Sequence, residues 1–303
     1  MARNDLAPAK LFLGKERVAG ASHNRTSEKY KTDEVFTKES TDDERWLDTT
    51  LHVLHFVRTG SGRNLLWYQF SAHPVCYADE MTGPDFPGLV ASKMRAQEGL
   101  SPSFLQGHCG DVNSGTSGRG DAEAVSDAVV KALRQAIKSA REVNLNVVRQ
   151  VTGIFHAPLD IEFHKQQLAQ YRADPSQCTN GPWVDKDFAR EWYEVASKWD
   201  LAQTSYATPI SALRLGDVVL LFHPGELYSV YGLTLRRDSP FRDTLVIGYM
   251  DDLIGYVPDP KAYAGTPEYS AVVVPKIMSL PCYKPEVGRA LTATGLDLLR
   301  KLK

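Results

Sequence analysis

One segment, VVLLF at residues 218–222, constrains the fold more strongly than any other part of the sequence. All five side chains are apolar, so both faces of a β-strand formed by this segment are hydrophobic. Such a strand belongs in the interior of a sheet that is covered on each face, which is typical of α/β proteins. Residues 208–215 precede it across Gly216-Asp217 and are predicted to form its antiparallel hairpin partner.

Helices and further strands are predicted to alternate along the rest of the chain. The clearest helix is residues 122–143, where apolar side chains recur at steps of three and four and Asp121 stands at the N-cap. Residues 1–45 are polar and are predicted to be irregular. The other predicted helices are residues 88–98, 162–172, 185–199 and 286–299, with one that begins at residues 223–226, and the other predicted strands are 50–58, 64–70, 103–106, 146–155 and 244–249. This alternation over residues 1–303 predicts a single α/β domain with a mixed β-sheet flanked by helices.

Composition excludes several functional classes. The 35 Lys and Arg against 37 Asp and Glu give a formal net charge of −2, which argues against a nucleic-acid partner. No apolar run approaches the roughly 20 residues of a transmembrane helix, and the first 30 residues lack a secretory signal, so the compartment is not assigned. The four cysteines form no Cys-x-x-Cys pair and are predicted to be buried thiols.

Polar side chains follow three of the predicted strands at the point where each strand ends. His73 follows residues 64–70, Asp111 follows residues 103–106, and Glu226 follows the VVLLF strand. Ligands of open α/β sheets gather beyond strand ends, and imidazole together with carboxylate suits zinc. Taken one at a time, each residue could equally be a hydrogen-bonded group that caps its loop.

Five strings in this sequence together resemble the catalytic domain of the neutral (alkaline, non-lysosomal) ceramidases over roughly residues 10–300. These strings are Asn24-Arg25; Ser71-Ala72-His73-Pro74 with Asp85 downstream; Phe104-Leu105-Gln106-Gly107 through Gly110-Asp111-Val112; Pro224-Gly225-Glu226-Leu227 leading to Leu235-Arg236-Arg237; and Gly255-Tyr256-Val257 followed by Tyr263. Gly-Asp-Val and Pro-Gly-Glu are common strings, so the resemblance depends on the five occurring in register.

The resemblance implies a zinc-dependent amidase that cleaves the N-acyl bond of sphingolipids. His73, Glu226 and Tyr256 match zinc ligands of the family, and Arg25 matches an arginine that lines its site. Zinc would activate a water molecule, and Arg25 or Tyr256 could donate to the developing oxyanion. Asp111 could accept a proton or orient a ligand. Asp85 could cap its loop or support a ligand.

The sequence departs from the family pattern at two places. Asn113 stands where the family has a serine in Gly-Asp-Val-Ser-Pro, and Ser114 is displaced from that position by one residue. A side-chain amide cannot act as the nucleophile that accepts the acyl group, so the sequence favours a zinc-bound water as the attacking group. Asn113 could still donate a hydrogen bond. The family's first zinc histidine lies in a His-Thr-His-Ser-Gly-Pro segment that has no match here. Either the chain is N-terminally incomplete or another residue replaces this ligand. His108 is a possible substitute and His223 a weaker one. The alternative for His108 is that it is a loop histidine that binds no metal. His52 and His55 are predicted to serve packing.

Three functional hypotheses follow from these observations. The first is a metal-dependent hydrolase with Zn²⁺ as cofactor and a small-molecule or lipid N-acyl substrate. The second is a divergent or truncated relative that binds a ligand without turnover, which is favoured by the missing first histidine and by Asn113. The family's C-terminal immunoglobulin-like domain also has no match here, although the chemistry does not reside in that domain. The third, a serine hydrolase, ranks last because no Gly-x-Ser-x-Gly elbow is present. The glycine-rich residues 115–121 lack a phosphate-binding Gly-Lys-Ser/Thr ending and are predicted to form a loop at the cleft. The oligomeric state has no sequence signal.

Overall fold

The computed structural model describes residues 6–26, 46–60, 63–77, 82–115 and 121–303. The charged run at residues 38–45 and most of the glycine-rich loop at residues 115–121 lie outside the described residues. Within the described segments, no helix is long and apolar enough to cross a membrane.

Two sheets form the centre of the fold, and each combines parallel and antiparallel pairs. The first sheet has the order β5–β4–β3–β1–β7, with β4 and β5 parallel. Its strands are β1 (Ala9–Arg17), β3 (Thr50–Arg58), β4 (Leu65–Phe70), β5 (Pro102–Gln106) and β7 (Arg141–Val143). The second sheet has the order β12–β10–β9–β8, with β10 and β12 parallel. Its strands are β8 (Val148–Pro158), β9 (Ser205–Leu215), β10 (Val218–Phe222) and β12 (Asp243–Ile247).

The remaining elements comprise short strand pairs and helices. Two-stranded pairs are formed by β2 (Ser22–Asn24) with β6 (Val112–Ser114) and by β11 (Glu226–Leu227) with β13 (Tyr256–Val257). The helices are α1 (Asp85–Glu98), α2 (Ala122–Lys138), α3 (Ile161–Ala173), α4 (Lys186–Ala196), α5 (Ser229–Asp238), α6 (Tyr269–Val272), α7 (Val274–Ile277) and α8 (Val287–Leu302), with 3₁₀ turns at Pro175–Cys178 and Pro260–Tyr263.

The two sheets pack face to face and are covered by helices on their outer faces. Leu11 and Leu54 of the first sheet share a buried cluster with Leu220 and Leu245 of the second. Helices α1 and α2 cover the other face of the first sheet, and α5 and α8 cover that of the second. The predicted α/β domain with mixed strand pairing and flanking helices is confirmed, and the strands divide into two sheets.

Strand β10 confirms the expectation for the VVLLF segment. It pairs with β9 on one side and with β12 on the other. Val218 and Leu220 face the first sheet, whereas Val219 and Leu221 face the helical layer that contains α8. Both faces of the strand are therefore buried, as its composition requires.

The prediction that residues 1–45 are irregular is wrong for β1 and β2. Strand β1 pairs with both β3 and β7, and its Leu11 and Leu13 point into the space between the sheets. Charged residues at its ends conceal this short apolar core in the sequence. Gly14 in β1 lets α2 approach closely, because a Cβ atom there would lie 2.0 Å from the carbonyl oxygen of Ala136.

Two predicted helix boundaries are also wrong. The helix predicted over residues 122–143 ends at Lys138, since Arg141–Val143 pair with β1 as the edge strand β7. The helix expected at residues 223–226 begins only at Ser229, because Glu226 and Leu227 pair in parallel with Tyr256 and Val257. In both cases a long-range strand pairing overrides the local helical pattern.

A buried ionic cluster joins the first sheet to α5. The carboxylate of Asp48 is fully buried, 2.5 Å from Nη1 of Arg236 and 3.1 Å from Nε2 of His108. The backbone N–H of Thr50 donates to the same carboxylate at 3.0 Å. Helix α5 reaches His108 at Gly232, where a Cβ atom would lie 2.0 Å from the ring.

Two further buried histidines lie near this cluster and are expected to make the fold sensitive to acid. Burial, together with the charge of Arg236, lowers the pKa of His52 to about 3, and burial with the neighbouring His108 lowers the pKa of His223 to about 3. A histidine in the unfolded chain titrates near 6.5. Between about pH 6.5 and 3, the unfolded chain therefore binds protons that the folded protein does not, and stability falls as the pH is lowered.

We expect the free energy of unfolding to fall by about 1.4 kcal/mol per pH unit for each of these two histidines below pH 6.5. Urea denaturation at pH 7.5, 6.0 and 5.0 measures the slope. His52→Gln, whose amide can still bond to Gln69, removes one titrating group and is expected to flatten the slope by one histidine's share. An unchanged slope in this variant would contradict the assignment.

Candidate active site

The candidate site lies where strands of both sheets end. The N–H of Gly107 after β5 donates to the carbonyl of Phe70 at the end of β4, at 3.0 Å. The N–H of Gly248 after β12 donates to the carbonyl of Gln106 at the end of β5, also at 3.0 Å. The polar segments that follow these strands are thereby brought to one edge of the two sheets. The structure thus gathers the strand-end residues that the sequence singled out.

One wall of the site is formed by three residues that lie side by side on neighbouring backbone segments, namely His23, Asn113 and His73. His23 of β2 lies opposite Asn113 of β6, and Asn113 in turn forms a parallel bridge with His73. Residues paired directly across neighbouring strands point to the same face. The two histidines therefore flank Asn113 on one face of this small sheet.

The facing wall is the pair of short strands β11 and β13. Glu226 lies opposite Tyr256 in their parallel pairing, which places carboxylate and phenol side by side. The loop that carries Asp111 is joined to this wall by the N–H of Gly110, which donates to the carbonyl of Leu227 at 2.9 Å. A Cβ atom at Gly110 would lie 2.4 Å from the carbonyl oxygen of Glu226, so glycine is required for this close approach.

The two walls meet at the imidazole of His73. Its Nδ1 donates to the carbonyl of Val112 at 2.9 Å, and its Nε2 lies 2.7 Å from Oε2 of Glu226 and 3.4 Å from the hydroxyl of Tyr256. Burial opposes the charged ring, but Cys109 and Glu226 outweigh burial and raise the pKa of His73 to about 10. Both ring nitrogens of His73 thus face oxygen atoms of groups that accept hydrogen bonds, the carbonyl of Val112 and the carboxylate of Glu226.

His23 is the residue that sequence reasoning missed. Its ring is buried, and its Nδ1 lies 2.8 Å from the carbonyl of Gly115, which can only accept a hydrogen bond. His23 and His73 thus share the arrangement typical of metal-binding histidines, in which one ring nitrogen donates to a backbone carbonyl and the other ligates. His23 lies within the short strand β2, in a segment that was predicted to be irregular, so no local pattern marked it.

Arg25 lies over Tyr256. Its guanidinium carbon is 5.2 Å from the centre of the Tyr256 ring, and its Nη2 donates to the carbonyl of Gly110 at 2.8 Å. Burial raises the pKa of Tyr256, while the charge of Arg25 acts in the opposite direction. The structure therefore brings Arg25, Tyr256 and Glu226 together, as the sequence suggested.

Asp111 is fully buried and binds residues of two different elements. Its Oδ1 accepts hydrogen bonds from the N–H and the hydroxyl of Ser229, both at 2.7 Å, and its Oδ2 accepts one from the amide of Asn24 at 2.8 Å. Burial raises the pKa of this carboxyl although these donors act against the shift. Asp111 thus fixes the start of α5 to β2, directly beside Arg25.

Ser114 and Asp85 serve the loop that follows His73. The hydroxyl of Ser114 accepts a hydrogen bond from the thiol of Cys76 at 3.1 Å. Ser114 follows Asn113 in β6 and therefore points to the opposite face, away from the site. The carboxylate of Asp85 accepts from the N–H of Tyr77 at 3.1 Å and from the N–H of Phe86 at 2.7 Å. Asp85 could have capped its loop or supported a ligand, and these contacts match the capping role.

The other histidines have contacts elsewhere. His108 faces Asp48 rather than His73, and His223 is buried beside Gly248. His52 bonds to Gln69 within the first sheet, which confirms its predicted packing role. All four cysteines are buried and free, as predicted.

The buried thiol of Cys109 lies beside the candidate site. Its thiol interacts with the ring of His73 and lies 3.7 Å from the hydroxyl of Tyr249. A sulfur atom therefore borders the candidate site.

The donor set suits zinc in its chemistry. Imidazole nitrogen, carboxylate oxygen and phenol oxygen converge at His73, Glu226 and Tyr256, and imidazole and carboxylate are common zinc ligands. In the part of the chain that the structure describes, no three His, Cys, Asp or Glu side chains are grouped as a ready-made metal cluster. Glu226 instead bonds directly to His73, so a metal ion would have to replace the proton between them.

Comparison with solved structures shows similarity in fold. The neutral ceramidase from Pseudomonas aeruginosa matches with a TM-score of 0.68 and 20% sequence identity, over 98% of this chain and 53% of that chain. A ceramidase complexed with C2 matches with a TM-score of 0.68 and 17% identity, over 98% of this chain and 54% of that chain. No family model and no curated protein matches the sequence. The fold is therefore ceramidase-like, and the chain spans about half the length of these structures.

Proposed function

We propose that this protein is a zinc-dependent hydrolase of amide (N-acyl) bonds. The observation that carries the proposal is the convergence of Glu226 and Tyr256 on one ring nitrogen of His73, in a chain with a ceramidase-like fold. His73, Glu226 and Tyr256 would hold the metal, and His23 would complete the set in place of His108. Bound zinc supplies an activated water at neutral pH and polarises the amide carbonyl.

The other residues of the site have distinct roles in this proposal. Arg25 would donate to the carbonyl oxygen of the substrate as negative charge develops there. Asn113, between the two histidines, would orient the amide through its own side-chain amide. Asp111 would act as a positioning residue, because its carboxylate is occupied by Asn24 and Ser229. The substrate would be an N-acyl lipid or a smaller N-acyl compound.

The test is metal content together with hydrolysis. Protein expressed with ample zinc is expected to contain one tightly bound zinc ion per chain by elemental analysis. It should release fatty acid from a short-chain N-acyl amide, lose this activity with a chelator, and regain it with added zinc. Protein that folds but carries no stoichiometric zinc would contradict the proposal.

A second candidate function is ligand binding without turnover. Asn113 favours this function, because it stands where the ceramidase family that this sequence resembles has a serine. The side-chain amide of Asn113 cannot serve as a nucleophile. Zinc-loaded protein that binds an N-acyl amide but releases no product would identify this function.

A further inference from the structure

Strand β8 lies at one edge of the second sheet, where β9 is its neighbour on one side. It pairs with β9 over eleven residues without a bulge. Among the described residues, no backbone hydrogen bond or bridge reaches the other side of residues 148–156. Beyond them the edge is closed, because the N–H of Lys284 donates to the carbonyl of Pro158 at 2.9 Å. The described structure thus leaves about 30 Å of strand edge without a partner.

The pairing with β9 determines which backbone groups point outward. The N–H of Gly216 donates to the carbonyl of Val147 at 2.8 Å, and the N–H of Leu159 donates to that of Thr204 at 2.9 Å. Hydrogen-bonded pairs of an antiparallel ladder recur at every second residue, so the odd-numbered residues of β8 bond to β9. The N–H and C=O groups of the even-numbered residues 148–156 therefore point away from the sheet.

The side chains of these even-numbered residues form an exposed row on one face of the strand. Two members of the row are apolar, namely Val148, which is 64% exposed, and Ile154, which is 55% exposed. Natural edge strands are usually protected from other strands by proline, lysine or a bulge. Residues 148–156 contain no proline and no lysine, and Arg149 carries their single formal charge. The edge is thus suited to pairing with another strand.

The spacing of the two apolar residues makes this edge complementary to itself. Val148 and Ile154 lie three residues on either side of Val151. If a second copy pairs antiparallel about a two-fold axis at Val151, each Val148 lies opposite an Ile154. In the same register Gln150 lies opposite Thr152. All of these pairs join outward-pointing residues, so they exchange about eight backbone hydrogen bonds in total. Moving the axis by one residue would place Ile154 opposite the amide of Gln150.

We propose that two copies of this chain associate through β8, so that their second sheets join into one continuous sheet. The self-complementary row favours a second copy over a different protein, and two-fold pairing is the commonest association of identical chains. Arg149 of each copy lies opposite Gly153 of the other, which keeps the two charges apart. This association does not depend on the proposed hydrolase function.

The size of the edge determines how tightly the copies bind. Residues 148–154 present an edge about 24 Å long and about 10 Å thick, or roughly 240 Å² per copy. A stable complex needs about 800 Å² per partner, so the dimer is weak. Because β8 is already formed in the single chain, little ordering opposes its pairing. We expect a dissociation constant on the order of 10–100 µM.

Sedimentation velocity from about 1 to about 300 µM protein tests the association. The mass should rise with concentration from 33.7 kDa towards twice that value. Ile154→Lys is expected to weaken dimerisation at least about tenfold, because it places a charge opposite the apolar Val148. The matched control is Val195→Lys on α4, where the valine is 52% exposed, and it should dimerise like the wild type.

Thr152→Pro tests the backbone pairing without adding a charge. It removes an outward N–H that β9 does not use, so the fold should persist while the dimer is lost. Far-ultraviolet circular dichroism shows whether each variant is folded. A wild type that stays monomeric at the highest concentration would overturn the proposal, as would a dimer that both edge variants retain.

Cysteine substitutions test the register. Val148→Cys protein mixed with Ile154→Cys protein should form a disulfide-linked dimer under mild oxidation, since the two positions lie about 5.5 Å apart across the pair. Either variant alone should stay unlinked, because its own two cysteines would lie about 20 Å apart. The native cysteines are buried and free. Equal cross-linking in the mixture and in the single variants would overturn the register.

Hydrogen exchange over residues 148–154 identifies any other occupant of the edge. The outward amides should exchange slowly in concentrated protein and fast in dilute protein, since pairing between copies protects them. Slow exchange at every concentration in a monomer would show that another segment of the same chain covers β8, and the proposal would be overturned.

Discussion

Replacing Asp48 with alanine is expected to lower the free energy of unfolding by about 3–5 kcal/mol, the usual result of breaking a buried ion pair. The carboxylate is fully buried, and Arg236 holds its pKa well below the ordinary range although burial acts in the opposite direction. It is therefore charged at neutral pH. Alanine would remove the negative charge that compensates Arg236 and the carboxylate that faces His108, and it would leave a cavity beside them.

The location of Asp48 makes the loss global rather than local. The residue precedes β3 in the first sheet, whereas Arg236 lies on α5, which covers the second sheet. The ion pair therefore bridges elements that are far apart in the sequence. Breaking it weakens the attachment of α5, whose first residue Ser229 is bound by Asp111 beside the candidate site.

Urea denaturation at pH 7.5 measures this effect. The control is Asp127→Ala, since Asp127 pairs with Lys93 but its side chain is 70% exposed. The exposed pair is expected to contribute no more than about 1 kcal/mol. If both variants lost the same small amount of stability, the buried cluster would not have the structural role assigned to it.

The sequence predicts the layered fold well because its strongest signals are local. The apolar run that forms β10 requires cover on both faces, and the structure provides it with the first sheet on one side and α8 on the other. The strand ends at His73 and Glu226 were also identified from sequence, since each polar residue directly follows an apolar strand. The fold resemblance agrees with the solved structures, whereas the zinc site remains a proposal.

The features that were missed depend on contacts between distant residues. Strand β1 contains only a short apolar core between charged ends, and its membership of the sheet is decided by pairing with β3 and β7. His23 lies in the three-residue strand β2, which is defined only by its pairing with β6. Pairing over such distances cannot be read from periodicity.

Replacing either of the two buried histidines that flank Asn113, His23 or His73, is expected to have the largest effect on zinc binding and on activity. His73→Ala and His23→Ala are each expected to weaken zinc binding by more than the roughly 100-fold that loss of an outer-sphere partner costs. Each variant removes a ring whose Nδ1 is fixed by a backbone carbonyl, so that Nε2 is the nitrogen a metal would use. Activity should fall with zinc occupancy in both.

The comparison that decides between ligand sets is His23→Ala against His108→Ala. Because His108 lies against Asp48 and α5, its loss should lower stability and leave zinc affinity unchanged. Competition with a chromogenic zinc chelator gives the affinity, and far-ultraviolet circular dichroism during heating shows whether each variant is folded. Weaker zinc binding in folded His108→Ala, with His23→Ala unaffected, would assign the remaining ligand to His108. The opposite result would assign the remaining zinc ligand to His23. We expect this result because His23, unlike His108, is paired with Asn113 in the same row as His73.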